Sequence, residues 1–380
     1  VLTTGYLSFS AEAHTKGVSS LALSPNGKFG VSAALDGPAA KLWDLASGTS
    51  VRSFEGHKRG IHALAIAGDN RTLVSAGADD VLRVWELSET GNCLRTLEGH
   101  KNAVSAVVIS ADSRLALSGS HDRSVGLWEI SSGRRIKTFD GHPEPVSAVA
   151  LTSDGRMAIS ASRDGSIRLW SLASGSCMKE FSGHVGAIFA ICVTSKGRLI
   201  SAGEDKTLRI WNLESGHCEH VGKIPGGAAH TVAAAPDGRF IFSGGNEGPE
   251  TLLRCWEVLN GACVQTFGVH PKGIQTLAVS SDGCALFSGG NEGLVRGWAL
   301  EWELNVAKRA ATPAPTIKRV NSFAFDLPAA GKPPVPPPPL PAQKTVSVVP
   351  PPPAASAGVT APAKPKRRLT FDDDFSPPKK

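Results

Sequence analysis

The sequence predicts an all-β fold: a seven-bladed β-propeller of four-stranded blades, closed by its N-terminal strand. Three observations predict it. Tryptophans recur at positions 43, 85, 128, 170, 211, 256 and 298, separated by 41 to 45 residues. A Gly-His pair keeps step with them at Gly56-His57, Gly99-His100, Gly141-His142 and Gly183-His184, and the same His slot continues as His14 and His270. Each unit also holds four short runs rich in Val, Ile, Leu and Ala, punctuated by Gly, Asp and Ser, which is strand and turn chemistry rather than helix chemistry. Four strands in about 42 residues make one propeller blade.

The fourth unit shows the elements in order. His142 opens it, and VSAVAL (146–151) is the first strand. Asp154-Gly155 turns the chain into MAISAS (157–162), and a turn holding Asp164 leads to SIRLW (166–170). CMKEF (177–181) is the last strand. A ring of such units has to close, because two open sheet edges would leave backbone groups unpaired. No full unit follows Trp298, and one orphan strand-like piece, Leu2–Phe9, precedes His14. That piece is expected to supply the outer strand of the last blade.

With seven tryptophans in register, residues 1–302 resemble the WD-repeat β-propeller family. The literal Trp-Asp pair stands only at Trp43-Asp44; the other units read Trp85-Glu86, Trp128-Glu129, Trp170-Ser171, Trp211-Asn212, Trp256-Glu257 and Trp298-Ala299. The resemblance supports closure by the N-terminal strand. It also implies a structural hydrogen-bond chain in each blade, from a turn Asp through His and Ser to the indole N–H. The matching sets are His57, Ser75, Asp79 and Trp85; His100, Ser118, Asp122 and Trp128; His142, Ser160, Asp164 and Trp170; and His184, Ser201, Asp205 and Trp211. A His, a Ser and an Asp could instead make a hydrolase triad. Near-copies of one active site in blade after blade argue for scaffolding, so no catalytic residue is assigned.

The same spacing exposes exceptions. In the sixth unit the His slot falls on Pro225, and Ser243 to Trp256 spans 13 residues where neighbouring units span 10, which lengthens the turn at 246–251. The seventh unit places Glu292 where Asp is expected, and in the first Asp36 is displaced by one extra residue. Blades six, seven and one are neighbours in the ring, and this sector is expected to be the least rigid and the most specialised.

In the family, partners dock where the loops opening each unit and the loops after the second strand emerge together. The first set of exposed positions holds Gly17, Gly60, Ala103, Pro145, Ala187 and Gly273. The second holds Leu35, Ala78, His121, Arg163, Glu204 and Asn291. The face is therefore shallow, and its expected partner-binding residues are His121, Arg163, Glu204, Asn291 and the blade-six insertion around Asn246. No aromatic cage and no basic ring is legible there, so nucleic acid is not an expected partner. No phosphate-binding glycine motif is present, and no cofactor is assigned. Cys93, Cys177, Cys218 and Cys263 share one outer-strand position in four blades, too scattered for convergent zinc ligands, and no metal is assigned.

Composition divides the chain. The whole is 41% hydrophobic with formal charge +6, and its longest apolar runs fall short of the roughly 20 residues of a membrane helix. Residues 303–380 hold 12 Lys/Arg against 5 Asp/Glu and 18 of the 26 prolines, while residues 1–302 are close to neutral. The 303–380 segment lacks hydrophobic periodicity and reads as a disordered basic tail. Its proline runs at 333–341 and 350–353 suit the aromatic grooves of SH3, WW or profilin-type domains. Lys364, Lys366, Arg367 and Arg368 resemble a nuclear import signal. Arg367, Leu369 and Phe371 resemble a cyclin-docking motif, and Ser376 lies in a Ser-Pro-x-Lys site for a cyclin-dependent kinase. Seven cysteines without paired spacing suggest a reducing, intracellular setting, cytoplasmic or nuclear. The expected function is a non-enzymatic protein-interaction scaffold, with a cell-cycle-regulated nuclear adaptor as the alternative.

Overall fold

A computed structural model describes residues 2–88, 90–245 and 252–302. Seven antiparallel sheets of four strands each build the ring. We number blades by their tryptophans and letter strands a to d outward from the axis. Blade 1, for example, comprises Val18–Leu23, Phe29–Ala34, Ala39–Asp44 and Thr49–Glu55. Blade 7 takes strands a to c from Ile274–Val279, Ala285–Gly290 and Leu294–Trp302, and its outer strand is Leu2–Glu12. The register runs from Leu2 opposite Trp302 to Glu12 opposite Leu294, so closure is as the sequence predicts and three residues longer than Phe9.

The core lies between blades. Each blade tryptophan is at most 8% exposed. Burying an indole removes about 200 Å² from water, an upper estimate of roughly 5 kcal/mol per blade. An outer-strand aromatic of one blade packs on the tryptophan of the next, with ring centroids 5.7 Å apart for Phe54–Trp85 and Phe139–Trp170 and 5.9 Å for Phe181–Trp211. The recurring Gly of Gly-His follows from the same packing. At Gly141 φ is +153°, and an added Cβ would lie 3.3 Å from the Trp170 ring and 2.5 Å from Arg168. A side chain there would be strained and would displace the indole.

Two polar clamps join successive blades. At the inner rim, the second residue of strand a bonds the first strand-a carbonyl of the next blade: Ser19 to Ile61 (2.5 Å), His62 to Val104, Ser105 to Val146 (2.5 Å) and Ser147 to Ile188. At the outer rim, a strand-d cation reaches carbonyls of the next blade's c–d turn: Arg52 to Thr90 (2.6 Å), Arg95 to Ser131 (2.9 Å), Lys137 to Leu172 (2.7 Å) and Ala173, and Lys179 to Glu214. Interfaces 1|2, 2|3, 3|4 and 4|5 each carry both.

The remaining three interfaces are built differently. At 5|6 the inner residue is Phe189, which cannot donate and instead stacks on His230 at 4.6 Å. Gln275 turns to Asn291 of its own blade. The outer positions hold His220, Gln265 and Phe9, and Phe9 packs against Gly48. Interface 6|7 is instead rich in aromatics: Phe240, Phe242 and Phe267 of blade 6 pack with Trp298 and Trp302 of blade 7. Trp302 lies 4.9 Å from Phe240 and donates its indole N–H to Gly283, so it ends the described body by packing on it.

Candidate functional site

The recurring polar residues form buried chains. In blade 3 the Nδ1–H of His100 donates to Asp122 (2.8 Å), Ser118 donates to Nε2 (2.7 Å), and Trp128 donates to Ser118 Oγ (2.7 Å). A carboxylate can only accept, so it sets the proton on Nδ1. The chains of blades 2, 4 and 5 run identically through His57, Ser75, Asp79 and Trp85, through His142, Ser160, Asp164 and Trp170, and through His184, Ser201, Asp205 and Trp211. Burial pushes the His57, His142 and His184 imidazoles below their ordinary value, so they are neutral at pH 7. Burial would raise the Asp79 and Asp122 pKa values, but the Lys58 N–H and then His57 hold Asp79, and His100 and then the Lys101 N–H hold Asp122, below the usual carboxylate range. Each serine hydroxyl is fully buried and spent on both neighbours. Each set thereby ties two or more strands of its blade together through buried hydrogen bonds.

The exceptions behave individually. In blade 7, Glu292 takes the Asp role and bonds His270, completing a chain through Ser288 and Trp298. Its second oxygen is buried without a partner. The residue after His270 is Pro271, which has no N–H to offer, whereas in blades 2 and 3 Lys58 and Lys101 supply that bond. In blade 1, Asp36 pairs with Lys16 (3.4 Å) rather than with His14. Burial, with Lys41 nearby, lowers the His14 pKa to about 4. In blade 6 only the Trp256–Ser243 link remains (2.8 Å). Pro225 stands at a small cavity over Ser243, and Arg254 bonds the Pro225 carbonyl (2.8 Å).

A compensation in blade 3 escapes sequence reading. Its neighbours carry Arg83 and Arg168 where it has Gly126, and a Cβ there would press on Trp128 and Ser118 at 2.7 and 2.9 Å. Arg135 of the outer strand covers the tryptophan instead, 5.2 Å above the ring, and bonds Gly99 and Ser124.

The two loop-face sets meet residue by residue. The backbone N–H of Ala78, His121, Arg163, Glu204 and Asn291 donates to the carbonyl of Gly60, Ala103, Pro145, Ala187 and Gly273 respectively, at 2.8 to 3.1 Å. The side chains at this equivalent position differ in their commitments. Glu204 accepts from Ala187 N–H (3.1 Å), which ties it to its own loop. Asn291 is occupied by Gln275 and the Lys272 carbonyl, both at 2.8 Å. His121 and Arg163 make no side-chain hydrogen bond or ion pair among the described residues, and Arg163 is exposed. Burial depresses the His121 pKa, and the charge of Arg163 depresses it further.

His62 is a residue the sequence reading missed. It lies 6.1 Å, centroid to centroid, from His121, and burial and then His121 lower its pKa. The available signal was positional: His62 shares its slot with Ser19, Ser105, Ser147, Phe189, His230 and Gln275. Asn246 and the tail residues Lys364, Lys366, Arg367, Arg368, Leu369, Phe371 and Ser376 lie outside the described residues.

Comparison with known families agrees with this geometry. The WD domain, G-beta repeat (WD40) model matches residues 5–44, 48–86, 91–129, 133–171, 175–212 and 261–299. The unmatched stretch between 212 and 261 contains Pro225 and the three inner strands of the blade whose His slot it fills. No curated protein matches the chain. Six matched repeats over more than half of the chain, set in a seven-bladed ring, establish that it belongs to the WD40 repeat family.

Proposed function

We propose that this protein is a non-catalytic scaffold that docks a partner protein on the loop face, centred on His121 and Arg163. WD40 propellers generally serve as protein-interaction platforms. One observation carries the finer reading. The frame consumes its recurring polar groups internally, while the equivalent loop position varies from Leu35 and Ala78 through His121, Arg163 and Glu204 to Asn291. Variation on a constant frame is what distinguishes a recognition surface from scaffolding, and two of these side chains have no internal use.

Affinity capture with the full chain tests this. A His121→Ala/Arg163→Glu variant should lose proteins that a Lys196→Glu variant, exposed on an a–b turn at the other end of the blades, retains. Identical captured sets would overturn the assignment of this face. The short motifs of the 303–380 segment would add further protein contacts under the same reading.

A further inference from the structure

The loop face is not evenly charged. Blades 2 to 4 present exposed Lys58, Arg59, Lys101, Arg123 and Arg163. Asp79, Asp122 and Asp164 are already engaged by histidines and backbone N–H groups, and the other acids on these loops are Asp80 and Glu144, with Glu98 and Asp140 set directly after the outer strands Cys93–Leu97 and Arg135–Phe139. At the inner rim of this sector His62, His121 and Arg163 come from three successive blades. The His121 ring and the Arg163 guanidinium have no acceptor among the described residues. Both histidines are half-buried, and each has a cationic or titratable neighbour instead of an acid. The half-buried His121 ring is thus left without an acceptor among the described residues, and the neighbouring guanidinium can offer it none.

Exposed aliphatic residues flank the sector. Gly60 of blade 2 lies against the Leu35 carbonyl, so the Leu35 turn abuts the loop of Lys58 and Arg59. Gly165 lies against the Gly186 carbonyl, so the turn of Arg163 abuts the loop of Val185. Leu35 is 55% exposed and Val185 is 77% exposed. Basic groups in the middle and an aliphatic contact at each border form a mixed surface.

We propose that this sector binds an acidic peptide segment of a partner protein, with carboxylates on Arg163 and His121 and apolar side chains on Val185 and Leu35. The inference rests on the scaffold reading above and names its ligand chemistry. Arg163 offers a planar fork that a carboxylate can accept bidentately, and an arriving carboxylate supplies the acceptor that His121 lacks. A nucleic-acid strand fits less well. Its phosphates need a continuous basic track, whereas Asp80 and Glu144 interrupt this one and Glu204 and Leu35 bound it. Aliphatic borders also offer a phosphodiester chain nothing to stack on.

The test uses the full chain and a fluorescein-labelled peptide, Gly-Leu-Glu-Asp-Glu-Asp-Val-Gly, with its Gln/Asn amide analogue as control. Fluorescence anisotropy should show the amide analogue binding about tenfold more weakly or worse. Arg163→Glu should weaken the acidic peptide about tenfold, and His121→Ala should weaken it severalfold. Lys196→Glu, the same change of charge away from the loop face, should stay within about twofold. Arg163 makes no side-chain bond, so its replacement leaves the fold intact, and a melting curve checks this. Equal binding of the two peptides would overturn the proposal, as would equal effects of Arg163→Glu and Lys196→Glu. An oligothymidylate that outcompetes the peptide and loses binding with Arg163→Glu would replace it with nucleic-acid recognition. If captured proteins depend on Arg163 while the acidic peptide is ignored, the scaffold reading stands and only this inference falls.

Discussion

Blades 1 to 5 and the arc from blade 5 through 7 to blade 1 are two halves of one ring joined by different chemistry. In the first half, hydroxyl, imidazole, guanidinium and ammonium groups reach backbone carbonyls of the next blade at two radii. In the second half, Phe189, Phe9 and the Phe240–Phe242–Phe267 group occupy or replace those positions. Single polar links remain there, such as Ser195 to Pro236 (3.0 Å) and Leu21 N–H to Thr276 (3.1 Å). A carbonyl is present at every blade whatever the sequence, so a clamp needs one donor on one side only. An aromatic interface needs matched shapes from both blades. Polar seams therefore repeat easily, while apolar seams are individual solutions, and the blades that departed from the repeat are those with individual seams.

The internal chains offer the largest way to break this comparison. Ser118→Ala should cost about 3 kcal/mol, because it orphans both the His100 Nε2 and the Trp128 N–H in a buried site. Ser243→Ala in blade 6 orphans only the Trp256 N–H and should cost about half as much. Denaturant unfolding of the two variants measures the difference. Equal losses would mean that the histidine link contributes nothing to blades 2 to 5.

Removing both clamps at one seam comes next. Ser105→Ala/Lys137→Ala deletes the inner and outer bonds of interface 3|4, and a loss of about 1 to 2 kcal/mol is expected, discounted for the half-exposed lysine. Hydrogen exchange at that seam should rise to the level of the 5|6 seam. If wild-type exchange is already uniform around the ring, the two halves do not differ in local opening and the sector of blades 6, 7 and 1 is not the looser one.

The smallest expected effect concerns His14, whose blade lacks the acid partner. Its folded pKa of about 4 lies below the unfolded value near 6.5, so the unfolded chain takes up a proton that the native chain refuses. This contribution is fully present above about pH 6.5 and is lost as pH falls toward 4, below which it stays constant. His14→Gln should therefore flatten the decline of stability between pH 6.5 and 4. An unchanged slope would show that His14 takes up its proton in the folded blade as readily as in the unfolded chain.

How much was legible can be judged residue by residue. The tryptophan spacing placed the blades, and the pairing of Leu2–Glu12 with Leu294–Trp302 agrees with the orphan strand. The polar chains were legible because their members stand at nearly constant separations, 17 residues from His184 to Ser201 or 18 from His100 to Ser118, and 10 from Ser118 to Trp128. Glu292 was marked as an exception, yet its carboxylate reaches His270 all the same, since one extra methylene can be absorbed where an absent ring cannot. The substitution of Arg135 for a strand-c arginine was not legible, because its partner Trp128 lies on a neighbouring strand across a register shift.

By itself, then, the sequence determined the number of blades, their closure and the composition of each internal chain, because these depend on local period and fixed separations within one repeat. Only the tertiary structure decided which blades are clamped, which stacked, and that His62, His121 and Arg163 share one rim. Those relations join side chains of different blades, and their proximity depends on how the sheets rotate about the axis, which no linear spacing records.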